Sequence, residues 1–341
     1  MIMKKMMMLA MAVALVCSCS KEEISVEPGM ESMLYVSLVP EDATKASGTG
    51  HGVQEDDNHI QTLEIFVFRD NEGKADDGML DGYRKFTASE LTSLKNLEMK
   101  TTTGQKVIYV VANSHKENWH GINTRALFEE QTANLVDENV KDFIMVGVVE
   151  TKLLAISSIS VSIKRMVARV KLNSVKTDFA GGPYDGMSLT DVKAYLVNVH
   201  SGKMMYDGSA NNSPILNKGV YVEADANSCA MPGMLYDELA SSVADAGYST
   251  PHYFYCYENP LVEENGDEKF TRVIVEGKLD GVTYYYPVVL RGIARNNSYS
   301  VDITIRRPGS IDPGTDVAKT ALMSTITVDN WKIQDNNKVE F

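Results

Sequence analysis

Apolar residues gather along much of this chain in short stretches closed off by turn-forming residues, alternating as in 165–172 or nearly unbroken as in 106–112. Residues 60–68, 106–112, 143–149 and 156–163 supply four such stretches, and 165–172, 192–199, 253–257, 270–279, 283–290 and 299–305 supply six more. A period of two places successive side chains on opposite faces of an extended backbone, which is the signature of a strand with one face buried. Helical patterns are few and short. Thr87 and Glu90 have the spacing of a capping box ahead of a helix over 87–99, Asn123 or Thr124 can cap a second running to about residue 134, and 235–246 reads as the clearest helix. Many short strands without alternating helices of comparable length predict antiparallel sandwiches rather than a parallel α/β sheet. At 341 residues the chain is long enough for two domains, each with its own core.

The two ends of the chain carry similar strands. Near the start, Leu34, Val36 and Leu38 alternate within 33–39, ahead of a polar, glycine-bearing stretch that contains Lys45 and Ala46. Near the end, a Pro/Gly-rich loop over 308–314 should close a folded domain, yet another strand follows it. There Leu322, Ile326 and Val328 share one face; after Asp329 the apolar phase flips to Trp331 and Ile333, as at a bulge or a change of partner. Two strands of like pattern are two candidates for one groove. The plainer alternative makes the last one an ordinary edge strand of its own domain.

The opening residues form an address rather than a fold. Lys4 and Lys5 precede an apolar run over 6–16 that is too short for a permanent membrane span, and the run ends in Val16-Cys17-Ser18-Cys19. The small Ser18 before Cys19 fits a bacterial lipobox, in which Cys19 becomes the lipidated N-terminus; an ordinary signal peptide with incidental cysteines is the alternative. A net charge of −13 argues against nucleic acid or an anionic lipid surface as partner, so contact with a membrane would come only through that lipid.

Signals for chemistry are missing. There is no nucleophile elbow, phosphate loop, dinucleotide fingerprint or zinc helix, which points to a protein that is not an enzyme and needs no cofactor or metal. The acidic loop around Asp76, Asp77 and Asp81 has its glycine in the wrong place for an EF-hand and reads as a solvated hairpin loop. Tyr253, Tyr255 and Tyr257 alternate on one strand, either as a packed aromatic face or as a platform for a sugar. Cys229 and Cys256 could pair in an oxidising compartment or remain separate packed thiols.

Several stretches taken in order resemble the fimbrillins, the shaft subunits of type V pili. In the second half these are Tyr257-Glu258-Asn259, Thr271-Arg272-Val273-Ile274-Val275-Glu276-Gly277, Tyr284-Tyr285-Tyr286-Pro287-Val288 and Arg295-Asn296-Asn297-Ser298-Tyr299, with Thr327-Val328-Asp329-Asn330-Trp331 at the end. The first half adds Leu63-Glu64-Ile65-Phe66-Val67-Phe68, Tyr109-Val110-Val111-Ala112-Asn113 and Arg165-Met166-Val167-Ala168-Arg169-Val170.

The resemblance implies an all-β protein of two transthyretin-like antiparallel β-sandwich domains with short connecting helices. It divides the chain into a signal peptide (1–18), a lipidated leader with a removable first strand (19–45), an N-terminal sandwich (46–164) and a C-terminal sandwich (165–341) whose tail, 321–341, is a donor strand. It further implies a precursor acylated at Cys19 on the outer membrane and cut by a trypsin-like protease between Lys45 and Ala46, where the best-known relatives have arginine. Loss of Leu34, Val36 and Leu38 would then open a groove for Leu322, Ile326, Val328, Trp331 and Ile333 of another copy. The implied partners are copies of the chain itself, tip and anchor subunits, the protease and an unidentified host or bacterial surface ligand. A tip or accessory subunit, or a monomeric surface lipoprotein adhesin for glycan or protein, is the alternative role.

Overall fold

The structure, a computed structural model, describes residues 27–40, 59–317 and 322–330. Strands dominate it. In the first half they are β1 (Glu31–Pro40), β2 (Thr62–Arg69), β3 (Leu80–Thr87), β4 (Leu97–Thr102), β5 (Gly104–Ala112), β6 (Thr132–Asn134), β7 (Met145–Leu153) and β8 (Ile156–Arg165), with one short helix, α1 (Arg125–Glu129), between β5 and β6. In the second half β9 (Val167–Thr177), β10 (Leu189–Val197), β11 (Val199–His200), β12 (Gly202–Met204) and β13 (Ile215–Leu216) precede helix α2 (Glu223–Ser228). Then come β14 (Tyr236–Val243), β15 (His252–Tyr257), β16 (Thr271–Leu279), β17 (Val282–Leu290), β18 (Asn297–Ile305) and β19 (Leu322–Asn330).

The first sandwich is a single sheet folded over itself, in the order β3-β2-β5-β7-β8-β1-β4. The fold line is β8, which pairs with β7 only at Met145↔Arg165 and Val146↔Lys164 and then crosses to the second layer to run parallel with β1. At the crossing the backbones nearly touch: a Cβ at Gly147 would sit 2.2 Å from the Ser162 carbonyl oxygen, so only glycine fits. Between the layers lies a core of Leu34, Val36, Leu63, Ile65, Val67, Ile108, Val110, Val161 and Ile163 with their neighbours. The opposite faces of β2 and β5 are buried too, with Phe66, Phe68 and Tyr109 packed against Trp119 and Phe128. Two buried faces explain why these strands read as nearly continuous apolar runs.

The second sandwich stacks β14-β10-β16-β17 on β15-β9-β18-β19. Pairings are antiparallel except β1 with β8 and β9 with β18. The halves join through Met166, between β8 and β9, through β6 paired with β12, and through the Phe143 ring set against Tyr255 at 4.9 Å.

Three helical expectations change. Over 87–99 there is no helix: the Glu90 carboxylate accepts from the Thr87 amide (2.9 Å) and hydroxyl (3.0 Å), half of the capping box, but closes a turn, and the chain enters β4. Pairing with β1 and burial of Leu97 and Met99 outweigh the local helix signal. Over 235–246 the structure has β14. Its buried Leu239 and Val243 are four apart with exposed Ser241 between them, a spacing that one strand face and one helix face share, and a bulge at Leu239 opposite Val192 and Lys193 further breaks the alternation. The third helix survives only as α1, capped by the Thr124 hydroxyl accepting from the Leu127 amide, and its expected continuation is β6.

Candidate functional site

β1 lies inside its sheet. It runs parallel to β8 from Met33↔Ile156 to Pro40↔Ile163 and antiparallel to β4 from Glu31↔Thr102 to Val36↔Leu97. Leu34, Val36 and Leu38 point inward and are 0%, 0% and 6% exposed. Its ends are pinned as well: the Thr103 amide donates to the Met30 carbonyl (2.8 Å), the Met33 amide to Ala155 (2.9 Å) and the Leu38 amide to Leu94 (2.8 Å). Among the described residues β4 pairs with no strand but β1. Removing β1 would therefore leave two unpaired backbone edges facing each other across an apolar trough.

β19 is in the opposite situation. It pairs along its whole length with β18, from Asn297↔Asn330 to Ile305↔Leu322, and its other edge is free among the described residues. Of its apolar side chains only Leu322 is covered; Ile326 is 38% and Val328 52% exposed, and Met323 on the other face is exposed as well. Cys19, Lys45, Ala46, Trp331 and Ile333 lie outside the described residues.

Asp81 in β3 and Glu138 ahead of β7 are carboxylates buried in the body of the protein. Beside the β1 slot, the Asp81 carboxylate would be raised by burial, but hydrogen bonds from Thr101, Lys106, Thr102 and Arg69 hold it well below the usual carboxylate range. At the junction of the sandwiches Glu138 is fully buried, and burial pushes its carboxyl up to about 8 although it accepts from the Ile144 amide (2.9 Å) and the Tyr257 hydroxyl (3.0 Å). The sequence reading passes over Glu138 and assigns Asp81 to a solvated hairpin loop, which the structure corrects: Asp81 belongs to β3 and its side chain is 1% exposed. Asp81 had a visible signal, a charge between Leu80 and Gly82 in what proves to be a strand.

Other candidates resolve differently. All six residues of β15 are buried, so Tyr253, Tyr255 and Tyr257 offer no platform to a sugar and belong to the core. Cys229 and Cys256 are free, buried thiols, pushed up by burial to about 11 and about 12, and poorly nucleophilic in consequence. In the acidic loop Asp76 pairs with Arg69 and Asp77 accepts from the Asn71 amide. Among the described residues no group of His, Cys, Asp and Glu is gathered as a metal site.

The sequence model of the major fimbrial subunit protein family (FimA) matches residues 33–200. The chain is 21% identical to the major fimbrium subunit FimA type-2 of Porphyromonas gingivalis, over 98% of each. Among solved structures, a fimbrilin (FimA) from Porphyromonas gingivalis superposes with a TM-score of 0.63 at 16% identity, covering 91% of this chain and 99% of that one. A candidate cell-adhesion protein from Bacteroides eggerthii superposes with a TM-score of 0.62 at 18% identity, covering 90% and 98%.

Proposed function

Since this chain belongs to the fimbrillin family, we propose that it is the precursor of a fimbrial shaft subunit that polymerises by exchanging its first strand for the last strand of a neighbour. On this reading residues 1–18 are a signal peptide, Cys19 carries a lipid that holds the precursor on the outer membrane, and a trypsin-like protease cuts between Lys45 and Ala46. The leader over 19–45 departs with β1; the sandwiches 46–164 and 165–341 remain and serve adhesion as part of a surface fimbrium.

The observation that carries the reading is the contrast between the terminal strands. β1 buries its apolar triplet, whereas β19, with a matching triplet, leaves Ile326 and Val328 in water. An edge position offers β19 one ladder; the slot left by β1 offers two, on β8 and on β4. Three fully buried aliphatic side chains contribute about 5–9 kcal/mol before ordering costs. Each net backbone hydrogen bond adds about 1 kcal/mol. In the intact chain β1 holds the slot because its tether gives it a high effective concentration, and cutting the tether removes that advantage.

Limited trypsin treatment of the purified precursor tests this. A shaft subunit loses its N-terminus at Lys45 by mass spectrometry and forms ladders that resist SDS; deletion of 321–341 abolishes the ladder and leaves the rest folded. A trimmed chain that stays monomeric overturns the reading.

A further inference from the structure

β4 depends on β1 for its only strand pairing among the described residues, yet the replacement of β1 requires β4 to stay in place while the slot is empty. Something other than a strand ladder has to hold it. Across from β4, the ladder between β2 and β3 slips: Val67 faces Gly82 and Phe68 faces Leu80, which leaves Asp81 as the unopposed residue of a bulge. Bulges re-aim side chains, and this one turns the Asp81 carboxylate away from β2 and onto β4. It accepts from the Thr101 hydroxyl at 2.7 Å, from the Thr102 amide at 2.9 Å and from the Thr102 hydroxyl at 2.8 Å.

Two cations fix the carboxylate from behind. Lys106 of β5 reaches it at 2.9 Å and also donates to the Thr102 hydroxyl at 3.1 Å, and Arg69 of β2 reaches it at 2.9 Å. Asp81 and Lys106 side chains are 1% and 2% exposed, so these contacts are made in a dry interior where an unpaired partner is costly. β3 and β4 lie close enough that a Cβ at Gly82 would stand 3.1 Å from the Lys100 carbonyl oxygen. Further along, the Arg84 guanidinium donates to the Glu98 carbonyl, a second tie between the same two strands.

We propose that Asp81 is a positioning residue for strand replacement: together with Thr101 and Thr102 it clamps β4 to β3 and β5, so that the slot stays one strand wide after β1 leaves. The clamp rests on the strand-replacement reading above. Its contacts all come from strands that stay with the trimmed body, and none involves β1. In the uncut chain β1 supports β4 independently, so the clamp matters little there; in the trimmed chain it is the chief support.

The test uses the full-length protein before and after trypsin trimming, with a synthetic peptide of residues 321–341 as probe. The variant T101V/T102V removes both hydroxyls at nearly constant volume and leaves Asp81 paired with Lys106 and Arg69. The uncut variant is expected to show the same amide exchange over 97–102 as the wild type. After trimming, those amides are expected to exchange at least tenfold faster than in the trimmed wild type, and the peptide to bind at least tenfold more weakly. T101S/T102S, which keeps the hydroxyls, restores both. Equal exchange and equal peptide affinity in trimmed wild type and trimmed T101V/T102V would overturn the clamp alone. A trimmed wild type that ignores the peptide would overturn the strand-replacement reading beneath it.

Discussion

β1 and β19 are nearly interchangeable as sequences and very different as structure. Each places apolar residues on alternate positions of a short strand at one end of the chain. β1 is inserted between two strands, with its triplet closed off from water. β19 has one neighbouring strand among the described residues, and most of its triplet faces solvent. Alternation specifies that a strand has an apolar face; what covers that face depends on how many edges and layers the rest of the fold presents. In the first sandwich the folded sheet supplies two edges and a facing layer, and in the second β19 finds an edge and no layer over most of its length. A strand of the second kind is marginally held and well suited to be given away.

The widest separation between the strands should come from a charge. Val36→Asp puts an unpaired carboxylate into the first core, and the uncut precursor should lose at least about 4 kcal/mol of stability, read as failure to give a cooperative melt. Val328→Asp should change precursor stability by no more than about 0.5 kcal/mol, because the site is already wet. Its effect should be seen after trimming, as complete loss of the SDS-resistant ladder. A precursor destabilised equally by both would erase the contrast.

Truncations sharpen the same contrast at smaller amplitude. Leu34→Ala should cost the precursor about 3 kcal/mol by urea unfolding, the usual range for a buried leucine. Ile326→Ala should cost under about 1 kcal/mol there, yet shorten the polymer ladder after trimming.

A pH dependence bears on both strands alike and so serves as a control. Glu138 has a folded-state value near 8 against an ordinary 4.5, so the folded chain holds a proton that the unfolded chain releases. Stability from this group is therefore complete below about pH 4.5 and is lost as pH rises toward 8. Glu138→Gln, which imitates the protonated acid, should flatten that slope in thermal melts of uncut and trimmed protein equally.

Much of the fold was legible in the residues, for reasons that also mark where legibility ends. β2 and β5 announce themselves through long apolar runs because both of their faces are buried. β14 does not, because its buried Leu239 and Val243 are four apart, a spacing common to a strand face and a helix face, and β4 does not, because Thr87 and Glu90 close a turn with a helix-capping contact. The parallel pairings of β1 with β8 and β9 with β18 join residues more than a hundred positions apart, and no local pattern encodes them. At the candidate site, the alternation of Leu34, Val36 and Leu38 marks an inward face. That β1 should have β4 as a neighbour whose only ladder among the described residues it provides is a property of the sheet order, visible once the sheet is built. Asp81 is the same kind of case: its role follows from a one-residue slip between β2 and β3.

The smallest effect expected concerns the other face of β19. Met323, Thr325 and Thr327 alternate with the apolar triplet, and Met323 is 45% exposed. If Leu322, Ile326 and Val328 are the face that enters a neighbour's slot, Met323 points away from the trough in both the precursor and the polymer. Met323→Ser should then alter precursor stability by less than about 0.5 kcal/mol and leave ladder length unchanged, whereas Ile326→Ser, three positions on, should shorten it. Shortening by Met323→Ser with no effect of Ile326→Ser would mean that β19 enters in the other phase, with Met323, Thr325 and Thr327 turned in and the apolar triplet turned out. The flip of the apolar phase after Asp329 makes this measurement worth the effort, since a one-residue slip exchanges the faces of the whole strand.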